Sequence, residues 1–100
     1  MAKDAAAAKE AIASNPNLSD EAKEVAKKAV DTDAQAATDA IDKALKPDAV
    51  QAEEDKGVAA ITKDVLDAAK QDAKNKIAKD AAAAKEAIAS NPNLTDAEKK

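Results

Sequence analysis

The chain has 100 residues, a net charge of −4, and no histidine, cysteine or aromatic residue. Without His and Cys the commonest general base, the thiolate nucleophile and the usual zinc ligands are missing, and a single glycine leaves no phosphate-cradling loop. The sixteen basic residues, all Lys, are scattered among twenty acids, so nothing forms a basic footprint for nucleic acid, and no apolar run is of membrane-spanning length. No enzyme activity, catalytic residue, metal or cofactor is therefore expected. The start, "MAKDAAAAKE", lacks the apolar stretch of a signal peptide.

Of the 45% hydrophobic residues most are alanine, so the larger apolar side chains are few and a marginal, all-helical fold is expected. The first helix is predicted to run to about Ser14, because Asn15 precedes Pro16 and is pushed out of the helical region. Ala5, Ala8 and Ile12 share one of its faces.

Ser19 is the predicted N-cap of the second helix, with Asp20 and Glu21 suited to the positive end of its dipole. Ala22, Val25, Ala29, Ala37, Ile41 and Leu45 recur at helical spacing, giving a helix from about 20 to 45. Glu24 with Lys28 and Asp39 with Lys43 stand in the favourable order for i,i+4 pairs. Asp31, Thr32 and Asp33 form poor helix mid-span; without the glycine and downstream Glu spacing of a calcium loop they read as solvent-facing.

Lys46-Pro47 ends that helix, and Asp48 with Gln51 forms a predicted cap for the next. From Ala49 to Ser90 no proline intervenes, which predicts one helix of about 42 residues, roughly 60 Å long. Val50, Val58, Ile61 and Val65 make one stripe on it. Leu66, Ala69, Ala73, Ile77, Ala81, Ala84 and Ile88 make a second, slightly rotated one. Gly57 marks a close helix–helix approach or a local kink. The alternative to one continuous helix is a break near residues 72–79, giving bundles joined by a hinge.

The second half of this helix repeats the start of the chain. The seventeen residues from Ala2 to Leu18, "AKDAAAAKEAIASNPNL", return unchanged from Ala78 to Leu94, and Ser19-Asp20 returns as Thr95-Asp96. Met1 falls where Ile77 falls in the second copy. Residues 1–76 thus read as one complete unit and residues 77–100 as the opening of the next. The chain looks like a window on a tandem array. Its expected architecture is an antiparallel three-helix bundle whose long third helix runs into the following repeat, making an elongated rod. Thr95 and Glu98 form a predicted capping box. Asn17-Leu18-Ser19 and Asn93-Leu94-Thr95 match the N-glycosylation pattern, but caps and turns need the same residues, with Leu18 and Leu94 sealing the bundle end.

The segment "AKQDAKNKIAKDAAAAKEAIASNPNLTDAEKK" resembles the repeats called domain of unknown function 1542, found in long cell-wall-anchored surface proteins of Gram-positive bacteria. The shared pattern is a Lys-Asp-Ala-rich helix, then "NPNLTD.EK", then an "AIDKAL"-type helix. The resemblance implies an extracellular stalk anchored to the cell wall and names no ligand. Related three-helix modules that bind albumin use aromatic residues, which this chain lacks.

Three functional readings follow. In the first the unit is a structural spacer of an adhesin, whose partners are the neighbouring repeats of the same chain. In the alternative a helix face binds a host matrix or serum protein weakly and gains by multivalency. Trp, Tyr and Arg, the residues enriched at binding hot spots, are all absent. A third reading, a cytosolic helical or partly disordered protective protein, draws on the Ala/Lys/Asp composition.

Overall fold

A computed structural model describes residues 2–99, and every regular element among them is helical. The chain runs through α1 (Ala2–Ala13), α2 (Asp20–Lys43), α3 (Pro47–Ala89) and the short α4 (Asp96–Lys99). Met1, aligned with Ile77 by the repeat, lies outside the described residues, as does Lys100. The molecule is elongated, measuring 73 × 21 × 14 Å.

Local chemistry sets most of the helix ends. α1 closes at Ala13, and the Ser14 hydroxyl donates back to the Ala11 carbonyl at 2.9 Å. At Ser19 the backbone is extended, and its hydroxyl accepts from the Ala22 N–H at 3.1 Å, satisfying one of the free amides of the first turn of α2. α2 stops at Lys43, two residues short of the predicted end. Lys46 takes the extended conformation imposed by the following proline, and Ala44 is already extended. Leu45 consequently lies beyond the helix and is 96% exposed, not part of an apolar stripe.

α3 begins earlier than predicted, because Pro47 is pre-organised for the first helical position and its missing N–H costs nothing there. Asp48 is therefore inside the first turn and does not cap. Lys46 holds the cap position without a side-chain hydrogen bond, while Gln51 donates to Asp55 at 2.9 Å. From Pro47 the helix continues for 43 residues without a break at 72–79, about 65 Å at 1.5 Å per residue. Gly57 sits inside it with no positive φ. It is buried beside Ala36 and Ala37 of α2, which places the missing side chain at the α2–α3 contact.

α1 and α3 run parallel, α2 runs antiparallel to both, and each helix packs against the other two. Asp4 lies near Val58 on the α1–α3 side, and Ala2 lies near Thr38 on the α1–α2 side. The core is a thin line of small side chains: Ala5, Ala8 and Ile12 of α1, Leu18 of the loop, Val30 of α2, and Ile61 and Ala68 of α3. Ile12 and Val30 are fully buried, and Ala22, Ala26, Ala34 and Val65 close the edges.

The buried line of α2 therefore differs from the predicted one. It passes through Ala26, Val30 and Ala37, while Val25 is 69% exposed. Val25 and Ala26 lie about 100° apart around the helix, and the alanine faces inward because alanines let the helices approach closely. In the acidic stretch Asp31 and Thr32 are exposed, as predicted, and Asp33 is less so. Asp31 pairs with Lys9 of α1, and Asp33 is half-buried towards Asp64 of α3. Of the expected intrahelical pairs, Glu24 meets Lys27 instead of Lys28, and Asp39 accepts from Gln35.

Candidate functional site: a seated helix and its unseated copy

Leu18 marks the end of the first copy of the repeated segment, and everything that holds this copy lies on α2 and α3. Ala5, Ala8, Ile12 and Leu18 are 7%, 5%, 0% and 7% exposed. Lys9 reaches Asp31 across the α1–α2 interface. At the bundle end the Asn17 N–H donates to Asp72 Oδ1 at 2.7 Å, and Asn75 Nδ2 donates to the Asn17 carbonyl at 2.9 Å. These two half-buried bonds fasten the α1–α2 connection to α3. They replace water contacts for groups that would otherwise be orphaned at a helix junction.

The second copy has the same seventeen letters and none of this cover. Residues 76–89 of α3 are exposed on all faces, Ala81 and Ala84 among them. Ile77 is 68% exposed and Ile88, the counterpart of Ile12, is 40% exposed. Leu94, the counterpart of Leu18, is half-buried. The predicted second stripe of α3 thus has nothing packed on it beyond the bundle, and Leu66, nearer its start, is 50% exposed. The segment stays helical because it continues α3, whose last turn is closed by the Ser90 N–H donating to the Glu86 carbonyl at 3.0 Å. Lys76 pairs with Asp80 at 2.8 Å, and Thr95 and Glu98 exchange reciprocal bonds of 2.9 and 3.2 Å at the start of α4.

The remaining sequence-predicted positions are dispersed. Ile61 is buried in the core, and Ile41 and Val65 are half-buried. Pro47 and Asp48 stand exposed at the start of α3. Val25 joins Leu18, Ala22, Ala26, Ala29 and Ala68 along a shallow apolar groove between α2 and α3. The Ser19 hydroxyl is engaged as a cap, the role expected of it over that of a glycosylation sequon.

Sequence reasoning missed the polar contacts between α3 and the rest of the bundle. Asp72 and Asn75 carried no signal, because their partner lies more than fifty residues away. Asp64 is the other case. Its Oδ2 is buried without a hydrogen-bond partner. Burial pushes its pKa up to about 6. A hydrogen bond that the protonated form donates to Asp33 and repulsion by Asp33 and Asp67 add to this, against a smaller opposing pull from Lys63. Among the described residues no group of three or more His, Cys, Asp or Glu side chains is placed to hold a metal ion. Nor is any helix among them long and apolar enough to cross a membrane.

The same segment is thus packed against α2 and α3 in its first copy and bare in its second. No curated protein and no solved structure matches the chain. The family model described as Domain of Unknown Function (DUF1542) matches residues 1–68, a span that holds the first "NPNL" turn and "AIDKAL" and ends just before the segment that begins "AKQDAKNK". With that match over more than half of its length, the chain belongs to the DUF1542 family.

Proposed function

We propose that this chain is a spacer repeat of a Gram-positive cell-surface adhesin, a stalk unit that holds a distal binding domain away from the cell wall outside the cell. Residues 1–76 are one unit, and α3 leaves it to become the first helix of the next, which begins at 77. The carrying observation is the same segment found twice in one chain, buried as α1 and bare as the end of α3. A helix with the sequence of α1 has a seat of known shape, and a following unit supplies that seat. Membership of the family supports the surface location, and the elongated shape supports the mechanical role. Stacking in line through a shared helix makes length proportional to the number of units.

The geometry sets the increment. Asp4 lies beside Val58, and its counterpart Asp80 is about 22 residues further along the same helix, a rise of about 33 Å. Small-angle X-ray scattering on proteins of one, two and four units is expected to show the maximum dimension growing by about 33 Å per added unit. Growth with roughly the square root of unit number would describe hinged beads and overturn the rod. Saturable binding of a single unit to a serum or matrix protein would put the multivalent binding role in its place.

A further inference from the structure

Past the level of Ala2 the bundle has only two helices among the described residues. Lys9 pairs with Asp31 and Ala2 lies near Thr38, so α2 runs on beyond α1 by about five residues, roughly 8 Å. Asp4 lies near Val58, so α3 reaches back beyond Ala2 by about nine residues, roughly 14 Å. Ile41 and Val50 in this overhang are half-buried, and Leu45 in the connection at its tip is almost wholly exposed.

A second apolar set stands further along α3. Leu66, Ala73 and Ile77 are exposed and share one face, because intervals of seven and four residues return to the same side of a helix. Ala84 and Ile88 continue that face at the same intervals, and their counterparts Ala8 and Ile12 belong to the buried face of α1. The face that packs into a bundle as α1 therefore extends back along α3 as far as Leu66.

We propose that residues 66–77 of α3 form the third wall of the following unit's overhang, with Leu66, Ala73 and Ile77 closing on that unit's Ile41, Leu45 and Val50. This rests on the spacer reading, in which residues 78–89 serve as the following unit's α1, and adds a junction contact that a shared helix does not by itself require. The register comes from the repeat. Asp80 is the counterpart of Asp4, so the following unit's Val58 lies near Asp80 and its Pro47, about eleven residues earlier, is level with Ala69. Val50 of that unit then falls beside Ala73, and Ile41 between Ala73 and Ile77. Ala44 and Lys46 are extended, so Leu45 reaches ahead of the proline to the level of Leu66.

The face is sterically open to the neighbour. Asp72 and Asn75, which hold the α1–α2 connection of their own unit, lie on the opposite side of α3. Lys70 shares the face between Leu66 and Ala73; its stem covers apolar surface while its ammonium meets Asp42 or Asp48 beside the following unit's connection. Each unit is thus completed at its tip by the unit before it, and the units stabilise one another in one direction along the rod.

A protein in which residues 1–77 precede residues 2–100 holds two units and the opening of a third. Leu45→Ala in its second unit is expected to lower the melting temperature by about 4–8 °C, whereas the same change in its first unit, which no unit precedes, leaves it unchanged. Local sequence is identical at the two places, so only the neighbour differs. The chain has no cysteine, which allows a second readout. Leu66→Cys in the first unit with Leu45→Cys in the second should be cross-linked by a short bis-maleimide several-fold faster than the same two substitutions within one unit, where about 30 Å of α3 separates them. Both positions are exposed, so neither thiol threatens the fold. Equal melting shifts for the two placements of Leu45→Ala, or equal cross-linking of the two thiol pairs, overturns the proposal. Scattering separates the two possible failures: a rod that lengthens regularly without this position dependence removes the junction contact alone, while hinged beads remove the spacer reading and the contact with it.

Discussion

Replacing Ile12 by alanine is expected to lower stability by about 2–4 kcal/mol, whereas the same replacement at Ile88 should cost well under about 1 kcal/mol. The two isoleucines sit in identical local sequence, so helix propensity and neighbouring charges cancel in the comparison. What differs is burial: Ile12 is 0% exposed and Ile88 is 40% exposed. At Ile12 the change removes the transfer free energy of three carbons and leaves a cavity among Ala8, Leu18 and the α2–α3 side chains.

The loss should also be large relative to the total, because among the described residues only Ile12, Leu18, Val30 and Ile61 are buried apolar side chains larger than alanine. A small domain with so thin a core has little stability to spare. Urea unfolding followed by circular dichroism is the measurement, with Leu18→Ala, expected to cost about 2–3 kcal/mol, as a second buried site. Equal losses at Ile12 and Ile88 would mean that the second copy is covered in solution.

The second large effect is a dependence on pH that runs opposite to that of most carboxylates. Asp64 ionises near pH 6 in the folded chain, above its ordinary value of 3.8. A group whose folded pKa is raised contributes stability that is fully present below about pH 3.8 and is lost as pH rises through about 6. Ionised at neutral pH, Asp64 faces Asp33 across the α2–α3 interface, with Asp67 adding repulsion and Lys63 offsetting part of it. A proton shared with Asp33 removes the clash and gives the buried oxygen a partner.

The melting temperature should therefore rise as pH falls from about 7.5 to about 5, before the ordinary carboxylates titrate. After discounting for solvent screening of a half-exposed group, the effect is about 1 kcal/mol. Asp64→Asn keeps the shape, removes the charge, and should stabilise the neutral protein by a similar amount while flattening the profile. An unchanged pH slope in that variant would assign the dependence to another group.

How much of this was legible in the sequence can be judged residue by residue. The face of α1 was, because Ile12 is its one apolar side chain larger than alanine, and Ala5 and Ala8 share its side of the helix. The start of α2 was too, since a Ser N-cap acts on an amide three residues away. Val25 and Val30 were not separable. On a helix rich in alanine nearly every direction is mildly apolar, and which valine turns inward depends on where α1 and α3 lie. Asp64 and Asn75 were silent because their chemistry is made by residues distant in sequence. Asp48 and Leu45 were misplaced by one local rule overriding another: a proline at the first helical position, and the extended residue before it.

By itself, then, the sequence determined the helical class, the positions where the chain turns, the repeat and its 76-residue offset, and the absence of histidine, cysteine and aromatic side chains. These follow from interactions within a few residues: i to i−4 hydrogen bonds, caps and the restricted φ of proline. The tertiary structure alone decided what is buried. The same seventeen residues form core in one copy and bare surface in the other, because burial is a property of what the rest of the chain brings alongside a helix.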